Sequence, residues 1–165
     1  MPDLVTHTTI GYLIRNRNWT KHILLLFIIG TIFPDILSRT FMIILPDFKW
    51  FFHAFHTPIV IVLFTLLFSL FFAKSLRFMV IKYVLLGAAF HCFLDLFQKG
   101  VSDTAYLWLF PFSSTIDFQL GLFWAEDTLI LTPLFSLLFL ISFFWEEKTG
   151  SYFKKKKDIT VINKK

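Results

Sequence analysis

The side chains in this chain that are suited to metal or acid–base chemistry lie in apolar surroundings. In the stretch GAAFHCFLD, residues 87–95, His91 and Asp95 are four apart. On an α-helix both would leave the same face one turn apart, close enough to hold one ion. His53 and His56 repeat the arrangement at a spacing of three, and Asp35 follows Pro34 at an expected helix end. Imidazole nitrogen and carboxylate oxygen are ligands for zinc and similar ions, and a catalytic site keeps one position open for water. Three histidines and two aspartates from three helices would therefore suit one divalent ion or a pair. Ionisable groups within a membrane-grade apolar segment are costly and by default functional.

Each of these residues also has a structural reading. A neutral His91 hydrogen-bonded to Asp95 would lock two helices together. Asp35 can pair with Arg39 one turn on, and His53 can sit at an interface beside Trp50. His22, next to Lys21, is expected to be exposed and is left out of the site. Glu126 and Asp127 are the nearest spare carboxylates for a general base, but they can equally be the acidic start of a helix.

The elements that must position these groups follow from composition. At 165 residues with 56% hydrophobic content and a mean hydropathy of +0.70, the chain is expected to be one domain and too apolar for an ordinary soluble protein. The expected fold is all-α, a multi-spanning membrane bundle of about four spans plus a short N-terminal helix. The short helix covers residues 1–14, opens on Pro2 and Asp3, and contains His7. It is too short to span a bilayer and has no small-residue cleavage site. The first span runs from His22 to Phe33, with Pro34 and Asp35 ending it. The second begins near Trp50 or His53 and reaches Ala73, the third covers Phe78 to Phe97, and the fourth covers Leu120 to Trp145. Residues 1–145 then form one membrane-embedded domain, and 146–165, with the KKKK run, a basic solvated tail. The single Cys92 excludes an internal disulfide and a Cys-rich metal motif.

A net charge of +5 would suggest nucleic acid in a soluble protein, but here it reads as topology, with no nucleic-acid partner expected. Thirteen of the sixteen basic residues fall in the turns 15–21 and 74–82 and in the tail. Cytoplasmic flanks collect positive charge, so these segments, the C-terminus included, are assigned to the cytoplasm. Asp35, His53, His56, His91, Asp95, Glu126 and Asp127 then all fall toward the outer leaflet.

A series of motifs gives the chain a family resemblance. Thr6 and His7 come first, then G-x-x-x-PD (Gly30, Pro34, Asp35) and HAFHTP (His53 to Pro58). G-x-x-x-H-x-x-x-D (Gly87, His91, Asp95) and LFPFS (Leu109 to Ser113) follow. In order and spacing, over about residues 3–115, this resembles the bacterial inner-membrane metal-dependent hydrolases of the YdjM type, also described as LexA-binding. A more distant similarity is to zinc-dependent phospholipase C. The resemblance implies a metal site at His7, Asp35, His56, His91 and Asp95, with His53 the less secure of its pair. Ala54 stands where the family commonly has Arg, and Thr57-Pro58 follow the second histidine.

The leading functional expectation is a membrane-bound metal-dependent hydrolase at the outer face of the bacterial cytoplasmic membrane. Its cofactor would be a divalent metal, zinc first, and its substrate a phosphoester-type lipid or lipid-linked molecule. His7, Asp35, His56 and His91 would hold the metal. Asp95 would complete the shell or bridge two ions, and Glu126 or Asp127 would be the general base. The alternatives are a small transporter with the same residues along a polar path and an adaptor acting through its basic tail. A homo-oligomer is left open.

Overall fold

The computed structural model describes residues 4–48, 52, 54–99, 111–112, 120–124 and 132–148. Their helices are α1 (Leu4–Ile14), α2 (Lys21–Ile44), α3 (Pro58–Ser69), α4 (Lys74–Leu96) and α5 (residues 132–148). Short 3-10 turns cover Pro46–Phe48 and Ala54–His56. The only extended pairing among the described residues joins Gln98–Lys99 to Phe123–Trp124 in parallel. It is continued by hydrogen bonds from Leu120 N to Leu96 O and from Leu122 N to Phe97 O. Gly121 lies between them at φ 57°, a conformation in which glycine carries no steric penalty. The segment 120–124 is thus fastened to the end of α4.

The regular structure of the described residues is helical apart from that pairing, but the first, second and fourth expected spans differ from expectation. Among the described residues only α2 and α4 are long and apolar enough to cross a membrane. The expected span from Trp50 or His53 to Ala73 is interrupted at Thr57, whose extended backbone (φ −94°, ψ 148°) precedes Pro58 at the first position of α3. The helical region is disfavoured for a residue before proline, and here Thr57 leaves it, so the apolar run is not one helix. The 12 residues of α3 cover about 18 Å against the roughly 30 Å of a hydrocarbon core. Within the expected fourth span, Phe123–Trp124 is a strand, 125–131 lies outside the described residues, and α5 continues through Lys148, past the tail boundary drawn at Glu146.

Pro34 does not end its helix as expected. α2 starts at the N-cap Thr20, whose side chain accepts from Ile23 N, and passes through Pro34 to Ile44. Proline inside a helix costs about 3 kcal/mol through the missing N–H and the clash with the carbonyl four residues back. Packing along both sides of the proline outweighs that local preference: α2 lies against α4, its main partner, and also against α1 and the Ala54–His56 turn. The helix therefore carries Asp35 and Ser38 into the interior instead of breaking before them.

α2 and α4 touch backbone to backbone. A Cβ on Gly30 would run into the Val84 carbonyl, and one on Gly87 into the Phe27 carbonyl oxygen. Leu26, Val80 and Val84 form the core beside this crossing, with Phe68, Phe72, Met79 and Tyr83 around them. Trp19 packs edge-on against Phe27 and Tyr83. Glu146 of α5 pairs with Arg15 and accepts from the Tyr12 hydroxyl. These contacts bring the 15–21 turn, the neighbourhood of Lys82 and the end of α5 to the same end of the bundle.

Candidate metal centre

The height of His7 is set by the link between α1 and α2. Counted from the basic turn, His7 is eight residues back and Asp35 fourteen forward, which leaves α1 too short if both helices start level. Six residues, 15–20, separate the helices, and Thr20 is extended (φ −66°, ψ 160°). Non-helical chain covers up to about 3.3 Å per residue against 1.5 Å in a helix. A non-helical link of this length can supply the missing height. A Cβ at Gly11 would lie 3.3–3.5 Å from Phe27, Thr31 and Phe90, so His7, one turn earlier, stands at the level of Thr31 and Asp35. Its ring stacks on His91 with centroids 4.1 Å apart.

His56 is delivered by the 3-10 turn. The Thr57 hydroxyl and amide both donate to Ala54 O, closing the turn so that the His56 side chain is buried before α3 begins. This explains the Thr-Pro pair: threonine ties the turn, and proline starts the next helix at the position where a missing N–H is harmless.

Five of the residues singled out from sequence converge. His7, Asp35, His91 and Asp95 are at most 1% exposed and His56 is 7% exposed. His56 Nε2 lies 2.8 Å from Asp95 Oδ2, His91 Nε2 lies 3.3 Å from the same oxygen, and the two Nε2 atoms are 3.3 Å apart. On the other side of Asp95, Oδ1 is 3.5 Å from His7 Nε2. Asp35 Oδ1 is 3.9 Å from His91 Nε2 and 4.0 Å from His56 Nδ1. His53, Glu126 and Asp127 lie outside the described residues. His22 is exposed.

The neighbours of the imidazoles decide which nitrogens face inward. His91 Nδ1 lies 2.7 Å from the Thr31 carbonyl, which can only accept, so Nδ1 carries the proton. His56 Nδ1 lies 3.3 Å from Ser38 Oγ, whose own proton goes to the Pro34 carbonyl, so Ser38 accepts and His56 Nδ1 donates. If both rings are neutral, with Nδ1 carrying the proton, their Nε2 lone pairs point toward each other and toward an Asp95 oxygen. Three acceptors at 2.8–3.3 Å repel unless a cation lies among them. A tetrahedral ion with bonds of about 2.0–2.1 Å would space its donors about 3.3 Å apart. Two of the three separations have that value, and backbone or hydroxyl oxygens orienting the far nitrogens is the usual second layer of a metal site.

The same atoms also pair with one another. The 2.8 Å contact between His56 and Asp95 is a hydrogen-bond length, and a proton on His56 Nε2 would satisfy it without metal. The buried groups (His7, His91, Asp95) and (Asp35, His56, His91) could hold a metal ion.

Sequence reasoning missed two contributors. Ser38 lies three residues after Asp35 on the same face of α2, so its spacing was a usable signal. The Thr31 carbonyl left none, because backbone oxygens have no residue code. Comparison of the chain with protein-family models, with curated proteins and with solved structures finds no match in any of the three.

Proposed function

We propose that this chain is a membrane-embedded, metal-dependent hydrolase of the YdjM type. The observation that carries the reading is the convergence of His7, Asp35, His56, His91 and Asp95 from four elements into one buried cluster whose His56 and His91 Nε2 atoms face the Asp95 carboxylate. His7, Asp35, His56 and His91 would hold zinc, with Asp95 completing or bridging the shell. A divalent ion there would act as a Lewis acid and lower the pKa of a bound water toward neutrality. The chain's part is positional. Thr31 and Ser38 fix the ring orientations, and the Gly30/Gly87 crossing fixes how closely α2 and α4 present their ligands. Glu126 and Asp127, outside the described residues, stay in the proposal as candidate general bases.

A bilayer location is supported by α2 and α4 and by the large apolar side chains on the surface, among them Ile43 (80% exposed), Phe71 (87%) and Phe78 (78%). With the basic turns gathered at one end, the positive-inside tendency supports a reading in which that end and the C-terminus face the cytoplasm and the cluster faces outward. Phosphoester-type lipids are the substrates such a site would meet. A periplasmic reporter fused near Ser102 is expected to be active and a cytoplasmic one silent, and the reverse pattern would overturn the orientation.

The test of the reaction is metal content together with turnover. Detergent-purified protein is expected to retain about one zinc or more per chain by mass spectrometry of its metals and to hydrolyse a chromogenic phosphodiester. His91→Ala is expected to abolish both, and His7→Ala to weaken zinc binding without abolishing it. The 2.8 Å His56–Asp95 contact favours a second reading, in which the cluster is a protonated, helix-locking ion pair. Wild-type protein that takes up no zinc at micromolar concentration would select that reading.

A further inference from the structure

Arg39 lies one turn beyond Asp35 on α2, with Nε 2.9 Å from Asp35 Oδ1. The bland account is an ordinary i,i+4 ion pair. In such a pair a guanidinium usually grips both carboxylate oxygens with two parallel N–H bonds. Here the contact lacks hydrogen-bond alignment. Arg39 Nε and Nη2 are buried without a hydrogen-bond acceptor among the described residues, and neither Asp35 oxygen receives a hydrogen bond. Leaving charged donors buried and unmatched costs more than the bond itself would contribute. The Arg39 side chain is nevertheless 35% exposed, so it stands at the boundary between the buried cluster and its surroundings.

We propose that Arg39 binds the phosphoryl oxygens of the substrate, so that the site recognises a phosphate ester with the guanidinium on one side and the His/Asp cluster on the other. This rests on the hydrolase reading above and assigns the residue that would hold the phosphate of its substrate. Guanidinium is always charged, and its planar fork of donors matches two oxygens of a phosphate. Asp35 links the two halves, since its Oδ1 lies near both Arg39 Nε and His91 Nε2. An arriving oxyanion would take the N–H donors that Asp35 leaves unmatched, while Asp35 remains near His91. The phosphate ester of a lipid headgroup and that of a soluble ester present the same oxygens.

The experiment measures binding of inorganic phosphate to zinc-loaded, full-length protein in detergent by titration calorimetry. Zinc content is measured on the same samples, and displacement is tested with dimethyl phosphate and with phosphatidylglycerol in mixed micelles. Arg39→Gln is expected to keep its zinc and to bind phosphate about ten- to a hundredfold more weakly, the range of one or two charge-assisted hydrogen bonds. Arg39→Lys is expected to keep zinc and to recover only part of the affinity, because it restores charge without the fork. Displacement by the micellar lipid alone assigns the site to headgroups, and displacement by both assigns it to the phosphate group itself. Unchanged phosphate binding in zinc-loaded Arg39→Gln would overturn the proposal and leave Arg39 as a partner of Asp35. If Arg39→Gln loses zinc, Arg39→Lys decides, and wild-type phosphate affinity in zinc-loaded Arg39→Lys would overturn the proposal. Wild-type protein with zinc but no phosphate binding also overturns it while the hydrolase reading stands. Phosphate binding through Arg39 in a wild type that takes no zinc would uphold it and sink the hydrolase reading.

Discussion

Asp95→Asn is expected to give a folded protein that has lost more than a hundredfold in zinc affinity. Asparagine keeps the shape and the position at the end of α4, and its amide can still donate to His56 Nε2, which lies 2.8 Å from Asp95 Oδ2. What it removes is the charge at the point shared by three imidazoles, since Oδ2 faces His56 and His91 and Oδ1 faces His7. Losing an outer-shell partner of a metal ligand costs about 10- to 100-fold in affinity, and losing the ligand itself should cost more. Binding to the native state alone stabilises it by about 4 kcal/mol when zinc is present at a thousand times its dissociation constant. Zinc should therefore raise the thermal midpoint of the wild type and leave that of Asp95→Asn unmoved. The double mutant with His91→Ala should bind little worse than either single one, because ligands of one site act as a unit and their losses do not add. A helix-locking pair predicts the opposite signature. Asp95→Asn would then lose stability in the absence of any metal, and zinc would shift neither protein. Full zinc occupancy of Asp95→Asn near neutral pH would remove Asp95 from the ligands of the metal.

The chemistry of this cluster was legible in sequence to the extent that it depends on side chains at helical spacing. His91 and Asp95 share a face of α4 because the helix is regular there, and the structure places both at 0% exposure. His56 and Asp35 come from other segments, and nothing in their own neighbourhoods says that they meet. They entered the site through donor chemistry and motif order, and the structure brings them within 4.0 Å of each other. The pairing of Asp35 with Arg39, weighed only as a bland alternative, is present as well, so the two readings of Asp35 coexist. What failed was segmentation. Pro34 was expected to stop α2 because local preference is readable and long-range packing is not. Thr57-Pro58 lies inside an apolar run, and hydropathy alone does not register the bias against helix before proline, which holds at Thr57 and is overridden by packing at Phe33. The low polarity that marks a membrane protein also erases the contrast from which helix ends are read. His7 shows the converse, since residue counting from the basic turn exposes a height mismatch and yet its ring stacks on His91 across an irregular link.

Gly87→Ala tests whether the ligands are held by the helix crossing, and two known effects oppose each other there. Alanine is the better helix former by about 0.8–1.0 kcal/mol, so α4 read as an isolated helix should gain from the change. The crossing predicts a loss. The added methyl would overlap the Phe27 carbonyl oxygen and would lie 2.9 Å from both Thr31 N and Gly30 Cα, all of them backbone atoms that cannot rotate away. Overpacking of this kind costs about 1–3 kcal/mol or more, which exceeds the propensity gain, so the thermal midpoint in detergent should fall. The damage should also reach the chemistry. Thr31 lies at the point of overlap, and its carbonyl holds His91 Nδ1 at 2.7 Å, one helical turn from position 87. A shift of α2 away from α4 thus turns His91 and separates Asp35 from it, and zinc affinity should fall about tenfold or more. Gly30→Ala should behave alike, and the double mutant should cost less than the sum, because the first methyl already opens the contact that the second would strike. Gly11→Ala is the control. Its methyl would meet only side chains, at 3.3–3.5 Å, which can give by a few tenths of an ångström, so stability and zinc binding should both stay near wild type. If Gly87→Ala matches or exceeds the wild-type midpoint with zinc affinity intact, propensity has won, and α2 and α4 do not meet at these glycines.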